Sequence, residues 1–361
     1  MTAQPELILH IGHYKTGTTA LQAFCNLNQA ALAQQGLVYA TEPLKHAKHS
    51  ALAFSLLHEA GVSTLMHGYN HPVSAEGLWS RLFEQTRALP QGAAMLVSTE
   101  EFMRLGAHPA ATEGLRRIIA GAPDIRFRIV AYLRPPQEHL QSWYNQLVKM
   151  GIDTGSFDVA VRGQMEAIHL DYGLALAPWI DLFGADAVVL RGYDRAMRHG
   201  DGLFADFLGA LGRRMPAAPL APVKDPNPRL DDRTLALRRA LGRSELQGKL
   251  AERFLTRATD SLRADDGAAA LIGAPGFDAL RERAQAAILT LAELPQAALD
   301  LDGMLAALPT AQDAYTTALE QNVVMLVNEL ASLRKLLVRT TARVAALEGQ
   351  GGAGAPAGED S

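Results

Sequence analysis

Leu7-Ile8-Leu9-His10-Ile11-Gly12-His13-Tyr14-Lys15-Thr16-Gly17-Thr18-Thr19 is the stretch on which the fold turns. Its opening residues form an apolar run of strand length that Gly12 closes. From Thr18 to Gln35 apolar residues return at helical spacing, at Leu21, Phe24, Cys25, Leu27 and Leu32. The reading is strand, loop, helix. Gly36 stands where such a helix ends, and Leu37-Val38-Tyr39 reads as a second brief strand.

Outward from this unit the same alternation repeats. Apolar runs at Ala94 to Ser98, Ile125 to Leu133 and Ala187 to Leu190 are separated by helical patterns such as Glu113 to Ala120 and Pro136 to Met150. Strands that alternate with helices predict an α/β fold, a parallel sheet flanked by helices on both faces. Ligands of such sheets collect at the carboxyl ends of the strands. From about Arg229 Ala, Leu, Arg and Glu dominate and strand-like runs vanish, so the C-terminal region is expected to be helical. Pro216, Pro219, Pro222, Pro226 and Pro228 mark an irregular connector before it. The expected organisation is an α/β core over 1–228, a helical extension packed on it over 229–315, and an amphipathic helix or coiled coil over 316–348. A disordered Gly- and Ala-rich tail follows over 349–361.

The segment from Leu319 to Leu347 is periodic at seven residues. Val323, Leu330, Leu337 and Val344 form one row, Leu319, Leu326, Leu333 and Leu347 the other, and Thr340 interrupts the second. That pattern suits a coiled coil or a long helix folded back on its own domain. A parallel pair would set Glu329 opposite Arg334 of the other copy, so a homodimer through this helix is one expectation.

Composition excludes several classes. Hydrophobic residues at 48% and charged residues at 20% are ordinary for a soluble globular chain, which disfavours disorder and membrane classes. A net charge of -4 gives no electrostatic footprint for nucleic acid. The one cysteine, Cys25, lies on the first helix and builds neither a disulfide framework nor a cysteine metal site. Residues that would ligate a metal form no cluster in the sequence, so no metal is expected. The first residues lack the features of a signal peptide and no stretch has the length of a membrane span, so a cytoplasmic protein is expected.

The loop from Gly12 to Thr19 has the layout of an anion cradle. Two glycines separated by four residues let backbone N–H groups turn inward, hydroxyl residues follow, and the start of a helix adds partial positive charge. A nucleotide triphosphatase P-loop carries its lysine directly after the second glycine, whereas here Thr18 stands there and Lys15 lies inside the loop. From Leu9 to Leu21 the sequence resembles the 5'-phosphosulfate loop of sulfotransferases that use 3'-phosphoadenosine 5'-phosphosulfate (PAPS). The resemblance implies a P-loop NTPase-like sulfotransferase fold with PAPS as co-substrate. His13, Tyr14, Lys15, Thr16, Gly17, Thr18 and Thr19 would hold the donor, and Lys15 would follow the bridging oxygen as it leaves.

A second motif lies further along. The run Ile129-Val130-Ala131-Tyr132-Leu133 delivers Arg134 before Pro135-Pro136, and Ser142 follows Arg134 by eight residues, two turns into a helix. This resembles the 3'-phosphate motif of the same family, in which an arginine and a serine at that spacing grip the ribose phosphate. The planar fork of arginine suits phosphate oxygens. Trp143 and Tyr144 also agree with the family, and a weaker resemblance continues through Tyr172 to Phe183 and Phe204 to Gly212, about two-thirds of the chain in all. The late Arg-Lys-Gly segment of cytosolic members has no counterpart, so the chain resembles the bacterial and carbohydrate-type enzymes more.

Transfer to an acceptor hydroxyl or amine needs a general base. Glu100 and Glu101 follow the run Ala94 to Ser98, Glu42 follows the second short strand, and His46 and His49 are near it. Glu100 ranks first, then Glu42 and His49. The resemblance implies a small-molecule or glycan acceptor, carbohydrate or lipid-linked, and the histidines and aromatics from His46 to His71 are candidates to line its pocket. Two other readings compete. A nucleotide-dependent kinase is disfavoured by the lysine placement, and a degenerate nucleotide-binding scaffold with an interaction tail is disfavoured by the joint presence of Lys15, Arg134 and Ser142.

Overall fold

The computed structural model describes residues 4–66, 68–154, 157–194, 197, 200–217, 220–222, 232–242, 248–263, 277–291, 297–306, 308, 326, 330 and 332–346. The chain divides into two compact units. One comprises Met1–Leu147, Thr154–Arg229 and Ala274–Ala311, the other Val148–Asp153, Leu230–Gly273 and Gln312–Ser361.

The first unit holds the sheet. Its strands are β1 (Glu6–Gly12), β2 (Leu37–Tyr39), β3 (Ala94–Ser98), β4 (Arg126–Leu133), β5 (Val188–Gly192) and β6 (Ala297–Ala298), in the order β2-β3-β1-β4-β5-β6. Every pairing is parallel. A central strand of such a sheet is covered on both faces and so reads as an unbroken apolar run. β1 is the case in point: its residues from Leu7 to Gly12 are all buried. β1 pairs with β3 from Glu6↔Ala94 to His10↔Ser98 and with β4 from Glu6↔Arg126 onward. The parallel sheet flanked by helices is therefore the fold.

In chain order the helices are α1 (Thr18–Leu27), α2 (Gln29–Ala33), α3 (Ser50–Glu59), α4 (Ala75–Arg87), α5 (Pro109–Ala120), α6 (Pro136–Lys149), α7 (Phe157–Gly163), α8 (Tyr172–Phe183), α9 (Gly202–Ala210), α10 (Asp232–Gly242), α11 (Gly248–Arg263), α12 (Phe277–Thr290) and α13 (Leu301–Ala306). Local chemistry sets several of their starts. Ser74 accepts from Gly77 N at 3.2 Å to cap α4, and Asp171 accepts from Leu174 N at 2.9 Å to cap α8. Pro109 opens α5, where its missing N–H costs nothing.

Apolar residues pack around the sheet. Phe24 of α1 and Phe207 of α9 join Ile8, Leu37, Leu96 and Val130 of the strands in one cluster, in which Phe24 and Phe204 stack at 4.3 Å. An aromatic chain runs from Trp79 through Phe102 to Trp179 and Phe183, and on to Phe127 of β4. A fully buried phenylalanine such as Phe24, Phe102 or Phe207 contributes roughly 1.5–3 kcal/mol by burial.

The C-terminal region departs from its sequence reading in one respect. β6 pairs with β5 at Leu190↔Ala297, inside the stretch expected to be helical throughout, and α12 and α13 belong to the sheet unit. A strand of two residues leaves no periodicity to read. α10 and α11 belong to the second unit and pack through Leu237, Leu241, Phe254 and Leu255. Residues 332–346, also of that unit, are helical and exposed along their length. The connector at 223–231, most of 307–331 and the tail at 349–361 lie outside the described residues.

Candidate active site

Three neighbouring strands end side by side. β1 runs into the loop that leads to α1, β3 into a 3-10 segment at Glu100–Ala107, and β4 into Arg134 at the threshold of α6. Gly12 has φ 111°, and a Cβ there would stand 3.2 Å from Glu100 Cα. A glycine thus lets the loop lie against the end of β3. Lys15 takes a left-handed φ of 62°, a conformation that costs a non-glycine residue about 1–3 kcal/mol and clusters at functional sites. Its Nζ donates to Gln146 Oε1 on α6 at 3.3 Å. Thr16 braces the loop by donating to His13 O at 2.6 Å. Gly17, at φ 81°, precedes α1, which has no side-chain cap, so the first-turn N–H groups are left for a ligand. Thr18 is buried and Thr19 exposed.

The second motif meets the first directly. Arg134 is only 5% exposed, and its Nη1 donates to Lys15 O at 3.2 Å. Its Nη2 is paired with Glu138, and its guanidinium lies 6.0 Å from the Tyr193 ring centroid. Tyr172 O–H donates to Arg134 O at 2.8 Å and fixes the strand end. Ser142 is buried on α6.

On the β3 side the two adjacent carboxyls differ. Burial would raise Glu100, but the charge of Lys48 and hydrogen bonds from Lys48 and Gln22 hold it below the usual carboxylate range. Lys48 Nζ lies 2.5 Å from Glu100 Oε1 and Gln22 Nε2 donates to Oε2 at 2.9 Å. Burial and the neighbouring Glu100 push Glu101 up to about 8. Tyr14 O–H donates to Glu101 Oε2 at 2.6 Å, tying the loop to the end of β3. Behind it the buried Arg104 bonds Glu166 at 2.6 Å and Thr64 O at 3.0 Å.

The structure separates the candidates for the base. His49 is fully buried, its Nε2 donates to Ala40 O at 2.9 Å, and its Nδ1 accepts from Ser98 N at 3.0 Å. Both ring nitrogens are committed to backbone, which removes it from the role. Glu42 is exposed, beyond the end of β2. His46 is exposed in a tight turn in which Lys45 and Lys48 exchange backbone hydrogen bonds of 2.9 Å. Of the three ranked candidates, Glu100 is the one buried at the end of β3 without both polar atoms tied to backbone, and its neighbour Glu101 is buried beside it. His67 lies outside the described residues.

Three histidines that the sequence did not bring together meet beneath the loop. His13 from the loop, His139 from α6 and His169 from the 3-10 turn Ala167–His169 each offer a nitrogen within 4.8 Å of the others. His139 Nε2 and His169 Nδ1 share a hydrogen bond of 3.0 Å, and Trp143 stacks on His169 at 4.4 Å. His13 Nδ1 accepts from Tyr14 N at 2.8 Å, and its Nε2 donates to Ile168 O at 3.0 Å. Burial lowers His13 to about 4. Burial, the other two histidines, Arg134 and Lys15 hold His139 far below its ordinary value. His13, with both nitrogens engaged and its basicity lowered by burial, suits a neutral hydrogen-bonded support, whereas His139 Nδ1 is buried without a hydrogen-bond partner. The His13 side chain therefore braces the loop from below. Spacing gave no signal for this trio, because each member comes from a different element.

No protein-family model matches the chain. An uncharacterized protein of Archaeoglobus fulgidus is 31% identical over 125 residues, 34% of this chain and 32% of that one, so the chain spans about a third of the length of this relative. Solved structures similar to this chain include two sulfotransferases. One is a sulfotransferase from Alicyclobacillus acidocaldarius, 17% identical, covering 68% of this chain and 98% of that one at a TM-score of 0.39. The other is the sulfotransferase domain from the curacin biosynthetic pathway, 12% identical, covering 82% of this chain and 99% of that one at a TM-score of 0.34.

Proposed function

We propose that the chain is a sulfotransferase that moves the sulfuryl group of PAPS to a hydroxyl or amine of a small-molecule or glycan acceptor. One observation carries the reading: the loop after β1 and Arg134 after β4 lie on neighbouring strand ends and touch, Arg134 Nη1 to Lys15 O at 3.2 Å. Two anion-binding elements side by side suit a nucleotide phosphorylated at both its 5' and 3' positions. The uncapped start of α1 takes the 5' side, with Thr16, Gly17, Thr18 and Thr19 forming its wall. Arg134 and Ser142 take the 3'-phosphate. In doing so Arg134 exchanges the Glu138 carboxylate for phosphate, one charge-assisted partner for another.

Glu100, ionised at neutral pH and at the end of the strand beside the loop, accepts the acceptor proton. The acceptor oxygen or nitrogen bonds to sulfur as the bond from sulfur to the bridging oxygen breaks. That oxygen leaves with the electron pair, and the Lys15 ammonium stabilises its charge. No metal enters the step. Among the described residues no helix is long and apolar enough to cross a membrane. We read the protein as cytoplasmic, with its lone thiol, Cys25, buried.

Calorimetry with adenosine 3',5'-bisphosphate and with ATP tests the donor. Tight binding of the bisphosphate and weak binding of ATP are expected, and the reverse order would support a kinase instead. Labelled PAPS offered with candidate acceptors then tests the reaction itself.

A further inference from the structure

We propose that the helix at 332–346 pairs with the same helix of a second copy as a parallel, two-stranded coiled coil, along a seam whose seven-residue repeat runs in the sequence from Leu319 to Leu347. The helix at 332–346 is exposed along its length, and its apolar residues do not lie at random positions. Leu330, Leu333, Leu337 and Val344 are 65%, 52%, 67% and 47% exposed, and Leu326 is 40% exposed. All five fall on the two rows of the seven-residue repeat, with Leu330, Leu337 and Val344 at position a and Leu326 and Leu333 at d, while Leu336 and Val338, each 61% exposed, fall at the flanking positions g and b. An isolated helix of this length is marginal in water, and a stripe of uncovered leucines on it calls for a partner.

The repeat also says which partner. Val at the first and last a positions, Val323 and Val344, combined with Leu at d, favours two strands over three or four. In a parallel pair each g position faces e of the following heptad on the other helix. By sequence position the charged pairs among these are Glu329 with Arg334 and Arg343 with Glu348, opposite in charge and reversed in order, and the uncharged pairs are Asn322 with Val327 and Leu336 with Thr341. A second copy in register satisfies both charged pairs twice. Thr340, the polar residue at d, does not obstruct the seam. Its hydroxyl donates to Leu336 O at 2.9 Å, so burial leaves no orphaned donor.

The proposal is independent of the donor site, and its test reads mass rather than activity. Sedimentation equilibrium of the full chain at micromolar concentration should give twice the 38.8 kDa of one copy. The double variant Leu333→Glu, Leu337→Glu should sediment as one copy, with its near-ultraviolet circular dichroism unchanged to show that the sheet unit is folded. A wild-type protein of single mass, or a double variant that stays at double mass, overturns the pairing. Orientation is read from Leu337→Cys, because the native Cys25 is buried. Mild oxidation should link two copies through position 337, as a parallel seam in register requires. A dimer that yields no such link overturns the parallel arrangement.

Discussion

Glu100 and Glu101 are consecutive carboxyls that one strand end delivers into different surroundings. Glu100 meets Lys48 and Gln22 and is held ionised, while burial and the charge of Glu100 push Glu101 up to about 8 against the opposing hydrogen bond from Tyr14. Divergent environments of this kind are how adjacent carboxyls take different roles. Glu100→Gln keeps the shape, removes the base, and should abolish turnover while binding of adenosine 3',5'-bisphosphate stays intact. Near-normal turnover would take Glu100 out of the mechanism. Lys48→Met makes a graded test. Without the ammonium, burial raises the Glu100 carboxyl, so more of it is protonated at a given acidic pH, and the acid limb of the kcat/KM profile should move to higher pH. An unmoved limb would mean that the pair has no part in setting the base. Glu100 was legible because it follows a strand-like run. Lys48 was not, since it lies 52 residues away and reaches Glu100 only through the turn at Lys45 to Lys48.

The elements show why some of the site could be read and some could not. β1, β4 and the turns after them carry their own periodicity, glycines and prolines, so the loop at 12–19 and Arg134 could be placed at strand ends from sequence. Their adjacency could not, because strand order is set by packing across the sheet. The His13, His139 and His169 cluster is a product of the same packing, as is the bond between Tyr14 and Glu101 that joins the loop to the segment Glu100–Ala107. That segment is in turn pressed against α8. A Cβ on Gly106 would stand 2.2 Å from Leu174 O and 2.9 Å from Ala175 Cα, both backbone atoms that cannot rotate aside. Gly106→Ala should therefore lose about 1–3 kcal/mol or more of stability through overpacking. Urea unfolding followed by circular dichroism measures it, and a midpoint equal to that of the wild type would show that α8 shifts freely.

For the molecule as a whole, the same burial that builds the site leaves it sensitive to acid. His10, His13, His49, His139 and His169 are all buried. Burial, the leading cause in each, lowers His10, His13 and His49 to about 4 and holds His139 and His169 well below their ordinary value. Free histidine in an unfolded chain titrates near 6.5, so below that pH the unfolded chain takes up protons that the folded chain refuses. Stability is then lost as pH falls, at up to about 1.4 kcal/mol per pH unit for each histidine. Glu101 works in the opposite sense, since the folded chain keeps its proton between the ordinary carboxylate range and about 8, but it is one group against five. The carboxylates held low, Glu100, Glu166 and Asp206, add to acid sensitivity only once the pH enters the ordinary carboxylate range. The urea midpoint should fall steadily from about pH 7, where the five histidines overtake Glu101, to about pH 5, above the range in which carboxylates titrate. A midpoint constant across that interval would mean that the five histidines are not held neutral by the fold, and the neutral support assigned to His13 would fall with it.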